Sequence, residues 1–176
     1  ITSTVNVGAF VGWISSNTNT TITFSNTINN GNVIGGWNVG GFIGRIISSL
    51  VSFSITLCIT NSANKGSILA KQGTACGFVC VDPQYNMNVK TAMKNSINKG
   101  SVNGGTYGYG IASKITEARN VVSMGDVTGP SGSFTFWSAS TDMDLFYGLD
   151  GKCINCSDDA TLFKHNPDTG FYEVVE

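Results

Sequence analysis

The five cysteines are the most reactive side chains in the sequence, and two of them form the motif CINC. Cys153 and Cys156 have the spacing of a local disulfide, a redox pair or half of a zinc site. With Cys76, Cys80 and His165 they could supply four zinc ligands. Cys76 and Cys80 lie about 13 Å apart along an extended strand, so they can bind one ion only if a turn separates them. We therefore expect a disulfide between Cys153 and Cys156, keep free thiols and a metal as alternatives, and predict no cofactor.

The single histidine, His165, would have to serve any Ser-His-Asp or Cys-His catalytic site. It lies in the sequence FKHNPDTGFY, whose Pro167 and Gly170 indicate a turn-rich loop. A histidine exposed on a surface loop is the simpler interpretation, and we predict no catalytic role for it.

Carboxylates are concentrated in the sequence STDMDLFYGLDG, at Asp142, Asp144 and Asp150. They could bind calcium or act as an acid and a base on a glycan, but the glycine of a calcium loop is not at the required position. A solvated loop is therefore the expectation. Polysaccharide-cleaving solenoid enzymes carry clusters of charge on one outward face of their repeats. Residues 1–129 contain only three acids, Asp82, Glu117 and Asp126, which argues against such an enzyme.

These side chains belong to a chain that repeats itself. An N-x-x-N-x-G-x-V motif occurs as NTINNGNV (26–33), NSANKGSI (61–68), NSINKGSV (95–102) and NVVSMGDV (120–127), the last with Ser123 in place of the second asparagine. The starts are 35, 34 and 25 residues apart. A second motif recurs between them as GAFVGWI (8–14), GGFIGRI (40–46), CGFVCVD (76–82) and YGIASKI (109–115). Two motifs in a constant order indicate a repeat architecture.

Alternating apolar and polar residues, as in SFSITLCIT (52–60) and TITFSNTI (21–28), predict β-strands. Counted in the same phase, the first asparagine of each motif should point inward or lie at a corner beside the core. A buried amide is costly unless it is paired. Copies stacked at about 4.8 Å would pair their amides as a ladder. The predicted ladder residues are Asn26, Asn61, Asn95, Asn120, Asn29, Asn64 and Asn98.

The predicted fold is all-β: a parallel β-solenoid, similar to a β-helix, of about four repeats over residues 1–129. The motif glycines suit tight turns with positive φ, and they are Gly31, Gly66, Gly100 and Gly125. Residues 130–176 leave the repeat and are rich in aromatic side chains. We expect an irregular C-terminal cap that covers the open end of the solenoid, with a small recognition surface as the alternative.

Charged residues make up only 12% of the chain and the net charge is −1, so no basic face for nucleic acid is expected. The sequence has no apolar run of about 18 residues, so no membrane-spanning segment is predicted. Low charge, many threonines and asparagines, and cysteines that could pair favour an extracellular or cell-surface protein. Asn19 and Asn155 lie in sequons and are candidate glycosylation sites.

The pair GGFIG (40–44) and NSANKGSI (61–68) resembles the GLUG repeat, which is built around G-G-L-V-G followed by N-x-x-x-G-x-V. The resemblance covers residues 6–129. GLUG repeats occur in large surface proteins, adhesins and autotransporter-like passengers, so the resemblance implies an elongated β-solenoid displayed outside the cell. Phenylalanine replaces leucine at Phe10, Phe42 and Phe78, and the fourth copy is shortened. Cys76 and Cys80 replace glycines, and these extra cysteines indicate a specialised module.

The expected function is that of a non-enzymatic structural or adhesive module that could also form filaments. Its partners would be other protein surfaces, glycans, or copies of itself added by stacking. The alternative is a carbohydrate-active or peptidase-associated β-solenoid whose site lies in the acidic C-terminal segment. Outward carboxylates clustered in consecutive repeats would favour this alternative, and the sequence does not contain them.

Overall fold

The computed structural model describes residues 5–48, 52–82 and 88–134, together with three short strands at 152–154, 163–165 and 172–174. The side chains of Asn120 and of those three strands lie outside the described part. The described residues form β-strands and no helix, which confirms the all-β prediction.

Each copy of the repeat contributes a similar series of short strands. The first copy supplies β1 (Asn6–Gly8), β2 (Val11–Ser16), β3 (Thr20–Ser25), β4 (Ile28–Asn29) and β5 (Val33–Gly35). The second supplies β6 (Asn38–Gly40), β7 (Ile43–Ser48), β8 (Ile55–Thr60), β9 (Ala63–Asn64) and β10 (Ile68–Ala70). The third supplies β11 (Thr74–Cys76), β12 (Val79–Val81), β13 (Val89–Asn98) and β14 (Val102–Asn103), and the fourth β15 (Tyr107–Tyr109), β16 (Glu117–Ser123) and β17 (Val127–Thr128). They are followed by β18 (Gly132–Phe134), β19 (Lys152–Ile154), β20 (Phe163–His165) and β21 (Tyr172–Val174).

Corresponding strands of successive copies lie side by side in four parallel sheets. Their strand orders are β1-β6-β11-β15-β18, β5-β10-β14-β17, β2-β7-β12 and β3-β8-β13-β16-β19, and β4 and β9 extend the last sheet beside β13. Only β20 and β21 pair antiparallel among the described strands. Strands β18 and β19, which belong to the segment predicted as a cap, therefore add to the sheets in the same parallel sense.

The register of these sheets equals the spacing of the sequence repeat. Val33 pairs with Ile68, Ile68 with Val102, and Val102 with Val127. These residues occupy the last position of each motif copy and are 35, 34 and 25 residues apart. A one-residue slip would turn every side chain of a strand to the opposite face. The repeated core residues therefore hold the copies in register.

Apolar side chains from the second motif stack through the interior. The ring centroids of Phe10 and Phe42 are 5.0 Å apart, and those of Phe42 and Phe78 are 4.8 Å apart. Ile111 occupies the corresponding position in the fourth copy and is fully buried. The row is buried except at Phe10, which is 47% exposed where the first copy ends the stack. The phenylalanines of this motif thus form an aromatic column.

The first asparagine of the motif lies at a corner, which is the second of its two predicted positions. Asn26, Asn61 and Asn95 have φ values of 53°, 49° and 49°, in the left-handed region. Asn26 is exposed and the other two are half-buried, so the predicted inward orientation does not occur. A left-handed residue bends the strand, so the alternation counted along the preceding residues does not continue through it. Asparagine is one of the few residues other than glycine that adopts this conformation readily.

The motif glycines do not have the positive φ predicted for them. Their role is to allow close contact between copies. A Cβ atom on Gly66 would lie 2.0 Å from the carbonyl oxygen of Gly31, and one on Gly100 would lie 1.9 Å from that of Gly66. A Cβ atom on Gly125 would lie 2.1 Å from the carbonyl oxygen of Gly100. The glycines thus form a column, in which Gly66, Gly100 and Gly125 leave no room for a side chain.

Candidate functional site

The second asparagine of each motif forms a buried stack of amides. Asn29, Asn64 and Asn98 are 6%, 0% and 0% exposed. The Nδ2 group of Asn29 donates to Oδ1 of Asn64, and that of Asn64 donates to Oδ1 of Asn98, both at 2.7 Å. Each Nδ2 also donates to the carbonyl oxygen of the glycine two residues later, at 2.9 Å. The amides therefore satisfy one another and the turn in one arrangement.

The two sequence motifs meet at this stack. A Cβ atom on Gly41 would lie 2.8 Å from Cγ of Asn64, and one on Gly77 would lie 2.8 Å from Cγ of Asn98. The glycine before the phenylalanine in GGF and CGF thus leaves the space that the asparagine amide fills. This contact explains why the two motifs recur together in a constant order.

A second, hydroxyl stack lies beside the first and was not predicted from the sequence. Ser62 and Ser96 are 1% and 2% exposed and directly follow the left-handed asparagines. The amide of Ser62 donates to Oγ of Ser96, and the amide of Thr27 donates to Oγ of Ser62, both at 3.3 Å. The sequence contains a pattern that could have predicted this stack: three motif copies begin with Asn-Thr or Asn-Ser.

The amide stack ends at Ser123, which takes the place of the next asparagine. Ser123 pairs with Asn98 in register, is 2% exposed, and its Oγ atom has no hydrogen-bond partner among the described residues. The serine is too short to continue the series. An asparagine at this position could accept a hydrogen bond from Asn98 and donate one to the carbonyl oxygen of Gly125, as the second asparagine does in the preceding copies.

We expect Ser123→Asn to raise the free energy of unfolding by about 1 kcal/mol, because it adds buried hydrogen bonds and removes an unpaired hydroxyl. Urea denaturation of the two proteins measures this difference. Ser123→Ala is the matched control: it removes the unpaired hydroxyl without extending the stack. A Ser123→Asn protein less stable than Ser123→Ala would contradict the extension of the stack.

Arg45 and Asp82 form an ion pair between the second and third copies. Nε of Arg45 donates to Oδ2 of Asp82 at 2.9 Å, and Nη2 donates to the same oxygen. Both side chains are partly buried. Asp82, one of the three acids of residues 1–129, thus neutralises the arginine of the neighbouring copy rather than forming a carboxylate pair.

Two equivalent lysines lie on adjacent copies at the corner after the amide stack. The amide of Lys65 donates to the carbonyl of Asn29 and that of Lys99 donates to the carbonyl of Asn64. Partial burial, followed by the positive charge of Lys65, lowers the pKa of Lys99. Burial also lowers the pKa of Lys114.

Cys76 and Cys80 come together although the extended-strand estimate separates them. Strand β11 ends at Cys76, the chain bends at Gly77 and Phe78, and β12 begins at Val79. The two sulfur atoms lie 2.6 Å apart in the interior. The turn that a shared site requires is therefore present, but the described residues contain no group of three or more His, Cys, Asp and Glu side chains that could hold a metal ion.

Several predicted residues lie outside the described part of the chain. They are Cys156, Asn155, Asp142, Asp144 and Asp150, and the side chains of Cys153 and His165. The backbone of His165 lies in β20 and pairs with Tyr172 in β21, so His165 itself lies in a strand rather than in the predicted loop. The other glycosylation candidate, Asn19, is exposed between β2 and β3, and its Oδ1 accepts from the amide of Ser54 at 2.9 Å.

The outward faces carry several large apolar side chains. Trp13 and Trp37 are 57% and 55% exposed, and Tyr107 and Met124 are 38% and 44% exposed. Trp13 pairs in register with Arg45, so it lies beside the ion pair on the outer side of β2. Trp37 precedes β6 at a corner where its amide donates to the carbonyl of Val5. Exposed tryptophans of this kind are typical of contact surfaces.

No helix within the described residues is long and apolar enough to cross a membrane. Comparison of the chain with protein-family models, with curated proteins and with solved structures finds no match.

Proposed function

We propose that this chain is a non-enzymatic structural or adhesive module of a protein displayed outside the cell, built as a parallel β-solenoid of the GLUG-repeat type. Each sequence repeat would form one turn of the solenoid. The observation that carries the proposal is the register: corresponding residues of four copies pair directly in two parallel sheets.

The interior chemistry supports a stiff scaffold. Amides, glycines and phenylalanines each stack on their own kind from copy to copy, so every copy provides the binding surface for the next. Such nearest-neighbour stacking is the energetic basis of repeat proteins. A module of this kind holds its exterior at a fixed spacing, which suits display and adhesion.

The exterior supports contact with other molecules. The outer face of the largest sheet carries hydroxyl side chains in register, with Thr21 beside Thr56 and Ser25 beside Thr60. The exposed Trp13 and Trp37 supply flat apolar surface. Tryptophan and hydroxyl groups together are suited to sugar rings or to protein surfaces.

The first copy also offers a route to self-stacking. Strands β1, β2, β3 and β5 are the outermost strands of their sheets, all on the side of the first copy. Phe10 and Val5 are exposed there, at 47% and 51%. Another copy of the chain could add parallel strands to these edges.

Adhesion can be measured with beads that carry the purified chain on glycan arrays and on intact cells. We expect the arrays or cells to retain the beads. The number of retained beads should fall at least about tenfold for the Trp13→Ser/Trp37→Ser variant, because tryptophan is enriched among the residues that dominate binding energy. Met124→Ser removes a comparably exposed apolar side chain and serves as the matched control. Retention that is equal for all three proteins, at unchanged melting temperature, would refute the adhesive surface.

The same arrays distinguish the enzymatic alternative. A non-enzymatic module leaves its glycans and peptides intact, so no reducing ends or new amino termini should appear after prolonged contact. Their release by the purified chain would overturn the proposal. Antibody labelling of intact, unpermeabilised source cells tests display: labelling that requires permeabilisation would contradict it.

A further inference from the structure

We propose that Cys76 and Cys80 are joined by a disulfide bond that closes the corner between β11 and β12. Their sulfur atoms are 2.6 Å apart, against about 2.05 Å in a disulfide. The remaining displacement is a few tenths of an ångström, so the bond can form without rearranging either strand.

The corner itself holds the two cysteines in place. Gly77 and Phe78 make the bend, and their amides donate to the carbonyls of Tyr109 and Ile111 at 3.0 and 2.7 Å. The bend is therefore anchored to the fourth copy on both sides of its apex. The side chain of Cys80 also lies 3.4 Å from the carbonyl oxygen of Val39 in the second copy. Contacts with the fourth copy on one side and the second copy on the other therefore keep the two sulfur atoms close together.

The two cysteines occur together in one copy of the repeat. The two positions are Gly8 and Gly12 in the first copy and Gly40 and Gly44 in the second. In the third copy both are cysteine, and in the fourth they are Tyr109 and Ser113. The first of these positions pairs directly with Gly40 on one side and Tyr109 on the other. Of the four copies only the third has cysteine at either position, and it has cysteine at both, which is the pattern expected of a cross-link.

The surroundings would protect the bond once it has formed. Cys76 and Cys80 are 0% and 2% exposed and pack with Tyr109 and Phe134, whose rings stack at 5.0 Å. Burial, and then the hydrogen bond to Cys76, raise the pKa of the Cys80 thiol. Because the thiolate is the reactive form, exchange in the folded protein is slow. Oxidation therefore occurs while the chain folds.

The reaction balances with a small-molecule disulfide, such as glutathione disulfide, as the oxidant. One cysteine thiolate attacks the oxidant, forms a mixed disulfide and releases one glutathione thiolate. The second cysteine thiolate attacks the mixed disulfide, forms the Cys76–Cys80 bond and releases the second glutathione thiolate. The protein loses two electrons and two protons, and the oxidant is reduced to two thiols.

Peptide mapping tests the bond directly. The full chain is refolded with a glutathione redox pair, denatured, treated with iodoacetamide and digested with trypsin. Cleavage after Lys71 and Lys90 yields a peptide, 72–90, that contains only these two cysteines. We expect this peptide unalkylated and about 2 Da lighter than its reduced form. Cys58, in the peptide 46–65, should be alkylated and provides the internal control. Alkylation or glutathione adducts on both Cys76 and Cys80 would overturn the proposal.

Melting temperatures with and without dithiothreitol give a second test. The chain should lose about 4 °C or more on reduction, because the cross-link restricts the unfolded state. This loss should persist in Cys153→Ser/Cys156→Ser, and it should disappear when Cys76→Ala/Cys80→Ala is added to that variant. A loss on reduction that is unchanged in the Cys76→Ala/Cys80→Ala protein would place the stabilising bond elsewhere.

Discussion

Replacing Asn64 with leucine is expected to lower the free energy of unfolding by about 4 kcal/mol or more. Asn64 is fully buried and accepts from Asn29 while donating to Asn98 and to the carbonyl of Gly66. Leucine has nearly the same size but would leave an amide hydrogen and two carbonyl oxygens without partners in the interior. Each unpaired buried group costs about 1–3 kcal/mol. Urea denaturation monitored by circular dichroism measures the loss.

The same substitution at Asn61 is the matched control within the same motif copy. Asn61 is half-buried, with a φ of 49°. Its amide oxygen accepts from Asn95 at a longer 3.1 Å. Asn61→Leu should lower the free energy of unfolding by about 1–2 kcal/mol, chiefly because leucine is strained in the left-handed conformation. Asn61→Gly relieves that conformation and should stay within about 1 kcal/mol of the unchanged chain.

The order of stability is therefore the decisive result. We expect Asn61→Gly to be the most stable of the three variants, then Asn61→Leu, then Asn64→Leu. If Asn64→Leu melted above Asn61→Leu, the first asparagine of the motif would be the buried one, and the amide stack assigned to Asn29, Asn64 and Asn98 would be wrong.

The repeat spacing was sufficient to predict the parallel pairing. Motif starts at Asn26, Asn61 and Asn95 are spaced as the paired strands are, because the core residues of each copy stack on those of the next. The alternation within SFSITLCIT likewise gave the buried face of β8, with Ile55, Leu57 and Ile59 fully buried. Periodicity predicts well where a strand is continuous and the same residue types recur.

The local geometry of the corners could not be predicted in the same way. Counting alternate residues assumes an unbroken strand, and the positive φ of Asn26 and Asn61 interrupts it. The asparagine therefore adopts the left-handed conformation that the sequence pattern predicts for Gly31 and Gly66. The bend at Gly77 likewise brings Cys76 and Cys80 together, which an extended-chain distance excludes. In each case a local bend of the backbone decides which side chains meet.

The asparagine and glycine columns depend on each other. Gly41 and Gly77 leave space for the amides of Asn64 and Asn98, and a Cβ atom on Gly100 would lie 3.2 Å from Nδ2 of Asn64. The amides in turn bond to the carbonyls of Gly66 and Gly100, which fixes the turns. Two-motif repeats of this kind can vary in loops and surface while both columns are kept.

The glycine column gives the second large effect, because Gly66→Ala should destabilise the protein by about 3 kcal/mol. The added Cβ would lie 2.0 Å from the carbonyl oxygen and 2.4 Å from the carbonyl carbon of Gly31. Backbone atoms of a neighbouring strand cannot rotate away as a side chain can, so the copies must separate locally and weaken the amide bond between Asn29 and Asn64. Overpacking of this kind costs about 1–3 kcal/mol, occasionally more, and here corresponds to a melting temperature roughly 6–12 °C lower.

Gly31→Ala is the control at the same position of the first copy. Its Cβ would have Oδ1 of Asn29 as its nearest neighbour, at 3.7 Å, which is ordinary contact, and its φ is not in the left-handed region. Alanine also restricts the unfolded chain, so this variant should be unchanged or more stable by up to about 1 kcal/mol. Calorimetric melting of both variants makes the comparison. If both variants were equally destabilised, glycine would be required by a backbone conformation that the two copies share rather than by contact between copies. If both were equally tolerated, the copies would not be packed as closely as the glycine column requires.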